Sequence, residues 1–200
     1  MLHAAEQERP DVAQARCDWA AEQGCFDVRH LVFLDETWAG TSMTPARGRS
    51  VKGTRCLGQA PCGHWHTTTF VCALRTGGLV APCVFDGPIN GNAFRTWVQQ
   101  VLAPVLQPGD IVVMDNLGSH KVVGIAAAIE TAGAQVRYLP PYSPDYNPIE
   151  QVFAKFKTLL RKTAARTMDT LWCAFGALLD QFNAAECERY ICHSGYGKSG

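Results

Sequence analysis

The sequence predicts an α/β domain in which a mixed five-stranded sheet is flanked by helices. Two short, almost continuous apolar runs, HLVFLD at 30–35 and DIVVMD at 110–115, read as strands buried on both faces. Segments of helical periodicity separate the later strands. An initial run of three strands precedes that alternation, giving the order strand, strand, strand, helix, strand, helix, strand, helix.

Residues 4–23 read as a peripheral helix ended by Gly24, ahead of the first strand at His30–Asp35. Residues 38–63 carry five glycines and two prolines and read as a long loop, a feature that compact domains reserve for function or movement. His66–Leu74 and Leu79–Phe85 form a hairpin about Thr76-Gly77-Gly78. Phe94, Trp97, Val98, Val101 and Leu102 recur at helical spacing within a helix over 90–106. The strand 110–115 follows, then a helix from Ser119 to about Thr131 and a strand over 134–139. A proline-rich loop at 140–148 leads to a helix that runs to about Ala165, with Pro148 at or near its first turn. One or two helices fill 169–192. The expected divisions are an N-terminal helical remnant or linker at 1–29, a catalytic domain at 30–195 and a flexible tail at 196–200.

Two hundred residues suffice for one ordinary domain with a substantial core. No apolar run reaches the roughly 18–20 residues of a membrane span, and the polar N-terminus lacks a signal core, so no membrane association and a cytoplasmic setting are expected. Nine cysteines, an odd number without a CxxC pair, read mostly as small buried hydrophobes rather than a disulfide framework. The spacing in Cys62-Gly-His64-Trp-His66 matches none of the usual zinc patterns.

The formal net charge is zero, but it is unevenly distributed. No acid occurs from Thr37 to Phe85, which holds Arg47, Arg49, Lys52, Arg55 and Arg75. None occurs from Gln151 to Met168, which holds Lys155, Lys157, Arg161, Lys162 and Arg166. Two such segments are either solvated faces or the electrostatic footprint of a polyanion. For DNA, the candidate contacts are Arg47, Arg49, Lys52, Arg55, Lys155, Lys157, Arg161 and Lys162.

An acid that closes a buried apolar run is costly unless paired or metal-bound. Asp35 and Asp115 both do so. On neighbouring strands they would stand about 5 Å apart at the backbone, and a divalent cation would remove their repulsion. Glu150, just inside a helix, can complete the set. Hard oxygen ligands suit Mg²⁺ or Mn²⁺, and two such ions about 3.5–4 Å apart serve phosphoryl transfer. Each acid also has a purely structural role open to it: Asp35 in a turn cap, Asp115 opening the turn Asp-Asn-Leu-Gly, and Glu150 favoured by the helix dipole. Glu36 alternates to the opposite face from Asp35.

LDET at 34–37, VVMDNLGSHK at 112–121 and LPPYSPDYNPIE at 139–150 together resemble the catalytic domain of bacterial insertion-sequence transposases of the mariner-like DDE superfamily. The 34 residues between Asp115 and Glu150 (116–149) are like that family's spacing, and the resemblance covers roughly 30–195. It implies a ribonuclease-H-like fold, Asp35, Asp115 and Glu150 as catalytic metal ligands, and double-stranded DNA as substrate. It also implies a homodimer on paired DNA ends. Asn116 and His120 match the family motif and would support the triad or contact phosphate, although a histidine at a helix start is also a common surface feature. Asn147 would act with them or cap the Glu150 helix; Tyr142 and Tyr146 are expected to pack the loop. The family's helix-turn-helix recognition region has no counterpart here, so an upstream-encoded half is expected to supply it. Other ribonuclease-H-like nucleases, or a DNA-binding remnant that interferes with an intact transposase, fit the same residues.

Overall fold

In the computed structural model, which describes residues 5–61 and 64–197, five strands form one sheet in the order β3-β2-β1-β4-β5. The first three are β1 (Leu31–Gly40), β2 (Thr67–Arg75) and β3 (Gly78–Asp86), joined as an antiparallel meander. β4 (Ile111–Met114) and β5 (Gln135–Tyr138) add to the other edge in parallel. The mixed sheet anticipated from the element order is therefore present.

Helices cover both faces. One face carries α1 (Pro10–Gln23), α4 (Ile149–Thr163), α5 (Met168–Leu179) and α6 (Ala184–His193). The other carries α2 (Gly91–Trp97), which continues as a π turn over Val98–Leu102, and α3 (Ile125–Thr131). Alternation along β1 sorts the two cores: Leu31 and Phe33 face α4, whereas Val32 and Leu34 face α2 and α3. α4 buries Ile149, Val152, Phe153, Phe156 and Leu160, one stripe at helical spacing. Phe156 stacks on Phe70 of β2 at 4.9 Å and meets Phe175 of α5 at 5.2 Å, fastening sheet, α4 and α5 together.

Several boundaries differ from expectation. β1 runs five residues beyond Asp35, because pairing with β2 continues to Gly40↔Thr67. The long loop accordingly begins at Thr41. The helix expected from Ser119 starts only at Ile125: a 3-10 turn at Gly118–Lys121 comes first, and Gly124, at φ +97, breaks the helical path. α1 is not peripheral, since Trp19 is 5% exposed and its Nε1 donates to the Tyr196 hydroxyl at 3.0 Å. The same contact corrects the expectation of a flexible tail from 196. Tyr196 is fully buried, with its ring 4.8 Å from that of Phe33. Among the described cysteines only Cys72 and Cys187 are buried, while Cys17, Cys25, Cys56 and Cys173 are exposed because they lie on outward helix faces, in the turn after α1 or in the long loop. Cys62 lies outside the described residues, and His64 and His66 are exposed. Among the described residues no helix is long and apolar enough to cross a membrane.

Phe156→Ala tests this packing. Removing a fully buried ring that touches three other phenylalanines should cost about 3–5 kcal/mol of stability, read from urea unfolding followed by circular dichroism.

Candidate active site

Parallel pairing of β1 with β4 ends at Phe33↔Val113. Extending that register by two residues sets Asp35 level with Asp115. β4 has stopped by then, so the acids stand where β1 continues without a strand on that side. Both fall on the face covered by α4, whose first turn carries Glu150. Asp35 is only 9% exposed. Its Oδ1 accepts from the Glu36 N–H at 2.8 Å and its Oδ2 from Asn147 Nδ2 at 3.0 Å.

The three acids lie within electrostatic reach of one another. Burial, then the charges of Glu150 and Asp115, hold the Asp35 carboxyl well above the usual carboxylate range. Glu150 keeps solvent access, yet surrounding atoms strip part of its hydration and raise it. Lys157 opposes that shift and Asp115 adds to it. The mutual repulsion of hard oxygen donors is what a divalent cation would relieve, so the residues present fit such an ion. No three His, Cys, Asp or Glu side chains form a ready metal cage among the described residues. Two of the acids are instead engaged by protein donors: Asp35 by Asn147, and Asp115 by His120 and the Leu117 N–H at 3.3 Å.

His120 is fully buried, not a surface histidine. Its Nε2 lies 2.8 Å from Glu36 Oε2 and its Nδ1 2.5 Å from Asp115 Oδ1, while its ring stacks on Phe94 at 4.5 Å. Burial favours the neutral imidazole, but the bonds to Asp115 and Glu36 outweigh it and push the pKa up to about 10. Nε2 is bonded to Glu36 and Nδ1 is paired by charge with Asp115, so His120 orients Asp115. Of the two roles open to Asn147, capping is not taken: its side chain caps nothing and its Nδ2 donates to Asp35 Oδ2. Asn116 is exposed and lines a cleft with Asp115, Lys121, Pro140, Pro141 and Tyr142. Tyr142 does not pack the loop and is 47% exposed. Tyr146 is packed beneath the Arg16 guanidinium, 4.6 Å from its ring centroid.

The basic segments separate by role. Pro45, Ala46 and Arg47 of the long loop line a cleft of about 380 Å³ with Thr158, Arg161 and Lys162 of α4, so the two segments meet. Arg49, Lys52 and Arg55 are exposed on the loop. Lys157 stands at the rim of the acids, its Nζ 5.0 Å from the Trp38 ring centroid, and partial burial lowers its pKa against the pull of Glu150 and Asp35. Lys155 is not available to DNA in this way: its Nζ is taken by the Glu186 carboxylate at 2.7 Å and the Gln181 carbonyl at 2.7 Å. Two neighbours escape the sequence reading. Glu36 had been set aside as facing away from Asp35; it does, and there it holds His120. Trp38 is 60% exposed in the middle of a strand, a position that composition alone does not single out.

The DDE superfamily endonuclease profile matches residues 30–172. No curated protein sequence matches the chain. Among solved structures, the Mos1 transposase paired-end complex with left transposon end aligns at TM-score 0.73 and 16% identity, covering 98% of this chain and 65% of that one. The mariner Mos1 paired end complex with Mg gives TM-score 0.75 at 15% identity, covering 96% and 61%. The catalytic domain of Mos1 mariner transposase gives 0.70 at 14% identity, covering 96% and 90%. The fold is thus ribonuclease-H-like, and this chain spans less than two thirds of the Mos1 chains in those two complexes.

The electrostatics predict a gain of stability on removing an acid. Asp35 binds its proton more tightly folded than unfolded, so its contribution to stability falls as pH rises above about 4, its unfolded value being near 3.8. Asp35→Asn should therefore raise the metal-free melting temperature at pH 7 by a few degrees and flatten its pH dependence above pH 4. Thermal unfolding in EDTA across pH reads this directly; a lower melting temperature at pH 7 contradicts it.

Proposed function

The chain belongs to the DDE superfamily endonucleases, and on that footing we propose that it is the catalytic domain of an insertion-sequence DNA transposase. The observation that carries the reading is the convergence of Asp35, Asp115 and Glu150 on one face, each raised or braced by its neighbours. Asp35 and Asp115 would hold two Mg²⁺ or Mn²⁺ ions, and Glu150 would complete the coordination of one. When bound, these ions supply the charge that activates an attacking oxygen and stabilises a leaving one in phosphoryl transfer.

The chain's own groups do the rest. Asn147 holds Asp35 by its amide, and His120, fixed by Glu36 and Phe94, holds Asp115. Both acids are thereby oriented before substrate arrives. The cleft shared by Arg47, Arg161 and Lys162 is placed to track a DNA backbone, with Lys157 nearest the acids. Hydrolysis at an element end would expose a 3′-hydroxyl, and that hydroxyl would attack target DNA with no protein-linked intermediate. The similar Mos1 structures are paired-end complexes, one with the left transposon end, which supports DNA ends as partners and a homodimer as the working form. A helix-turn-helix half encoded upstream would supply end recognition, in a bacterial cytoplasm.

Strand cleavage in Mg²⁺, with a matching DNA-recognition half supplied, tests the assignment. Asp115→Asn and Glu150→Gln should each lower cleavage by roughly 100-fold or more. Undiminished cleavage by Asp115→Asn would sink it. Separately, Arg161→Ala should weaken binding about equally across DNA sequences and reduce the salt slope by about one, whereas Lys155→Ala should leave that slope unchanged.

A further inference from the structure

The proline-rich loop between β5 and α4 has an unusual mechanical problem. Four of its nine residues, Pro140, Pro141, Pro144 and Pro148, have no backbone N–H to donate. Its internal bonding is sparse: one 3-10 turn, with Tyr146 N–H donating to the Ser143 carbonyl at 3.1 Å and Asn147 N–H to the Pro144 carbonyl at 3.0 Å, and the Ser143 hydroxyl donating to the Pro141 carbonyl at 3.0 Å. Tyr142 also sits at φ +56, a conformation that side chains other than glycine adopt only under constraint. Yet this loop sets the positions of Asn147, which holds Asp35, and of Glu150.

The constraint comes from α1. Arg16 donates to both carboxylate oxygens of Asp145, at 2.9 and 2.7 Å, and to Ser143 Oγ at 2.7 Å. Its guanidinium also covers the Tyr146 ring. Gln7, just ahead of α1, donates from Nε2 to the Tyr142 carbonyl at 2.6 Å. Trp19 donates to the Tyr196 hydroxyl, which in turn donates to the Tyr146 carbonyl at 2.8 Å. The far end of α1 is fixed to the sheet, where Glu22 pairs with Arg137 of β5 and the Arg137 guanidinium lies 5.8 Å from the Trp19 ring centroid. α1 thus spans from a strand to the loop and, with Gln7 ahead of it and Tyr196 behind Trp19, holds Tyr142, Ser143, Asp145 and Tyr146.

We infer that α1 is a brace for the metal site and that Arg16 is a positioning residue, acting through Asp145 and Ser143 on Asn147 and Glu150. The segment ahead of the first strand then belongs to the catalytic apparatus. The inference rests on the proposed role of Glu150 as a metal ligand, but the brace itself has a readout independent of that role.

The test uses the full chain, with Mn²⁺ alone as probe. Mn²⁺ affinity is read from the electron paramagnetic resonance of the free ion, loop order from hydrogen exchange over 142–150, and global stability from urea unfolding. Arg16→Ala should weaken Mn²⁺ binding about tenfold and speed exchange in the loop, while exchange in β1 and β4 holds. The swap Arg16→Asp with Asp145→Arg should restore both, and Arg16→Lys, which keeps charge but not the paired geometry, should fall between. If Arg16→Ala unfolds the chain, the swap and Arg16→Lys carry the same comparison. Wild-type loop exchange in Arg16→Ala, or in Arg16→Lys where Arg16→Ala does not fold, overturns the brace. A wild-type chain that binds no more Mn²⁺ than Glu150→Gln overturns the metal reading instead.

Discussion

Burying a carboxylate without a cation of its own is the constraint on which this structure turns. The sheet contains two buried aspartates, and they are treated differently. Asp110, at the entrance to β4, is fully buried and met by the Arg75 guanidinium and the Gln107 N–H. Asp35, farther along the neighbouring strand, receives only an amide and one backbone N–H, and the charges that weigh on it most are those of Glu150 and Asp115. The first carboxylate has a cation of its own within the chain. The second has no such cation beside it, and on the proposed reading an ion from outside would supply one.

The site is supported by a division of labour between the two faces. The face under α4 carries the aromatic cluster of Phe70, Phe153, Phe156 and Phe175, which fixes the helix whose first turn presents Glu150. The face under α2 carries Phe94, against which His120 is stacked, and Glu36, which closes the other side of the imidazole. Asp35 is therefore held from the α4 side, by Asn147, and Asp115 from the α2 side, by His120.

Much of the fold was legible in the sequence because periodicity reports burial. HLVFLD and DIVVMD could be nothing but interior strands, and the stripe Ile149, Val152, Phe153, Phe156 could hardly be other than the buried face of a helix. Asp35 and Asp115 stand out in the sequence too, since acids at the ends of apolar runs are conspicuous, and the fold brings both within electrostatic reach of Glu150. What escaped was set by contacts distant in sequence. The bond between His120 and Glu36 joins residues 84 apart, and the one between Arg16 and Asp145 joins residues 129 apart. Neither leaves a local pattern. Polar residues at a chain's beginning look dispensable until the surface that they grip is known, and Tyr196, in a segment of small and polar residues, carried no sign that its ring would lie on Phe33.

The unequal lengths of β1 and β4 have one more consequence. With ten residues against four, β1 presents a stretch of backbone with no strand on its β4 side. Unpaired strand edges invite other chains to add to them, and proteins commonly guard them with charge. Here the guards are Asp35 and Glu36, flanked by Trp38 and Lys157. The carboxylates that would call for a cation thus also stand where a neighbouring chain would add along the sheet, and replacing both Asp35 and Glu36 with amides is expected to take charge from that edge as well as from the site.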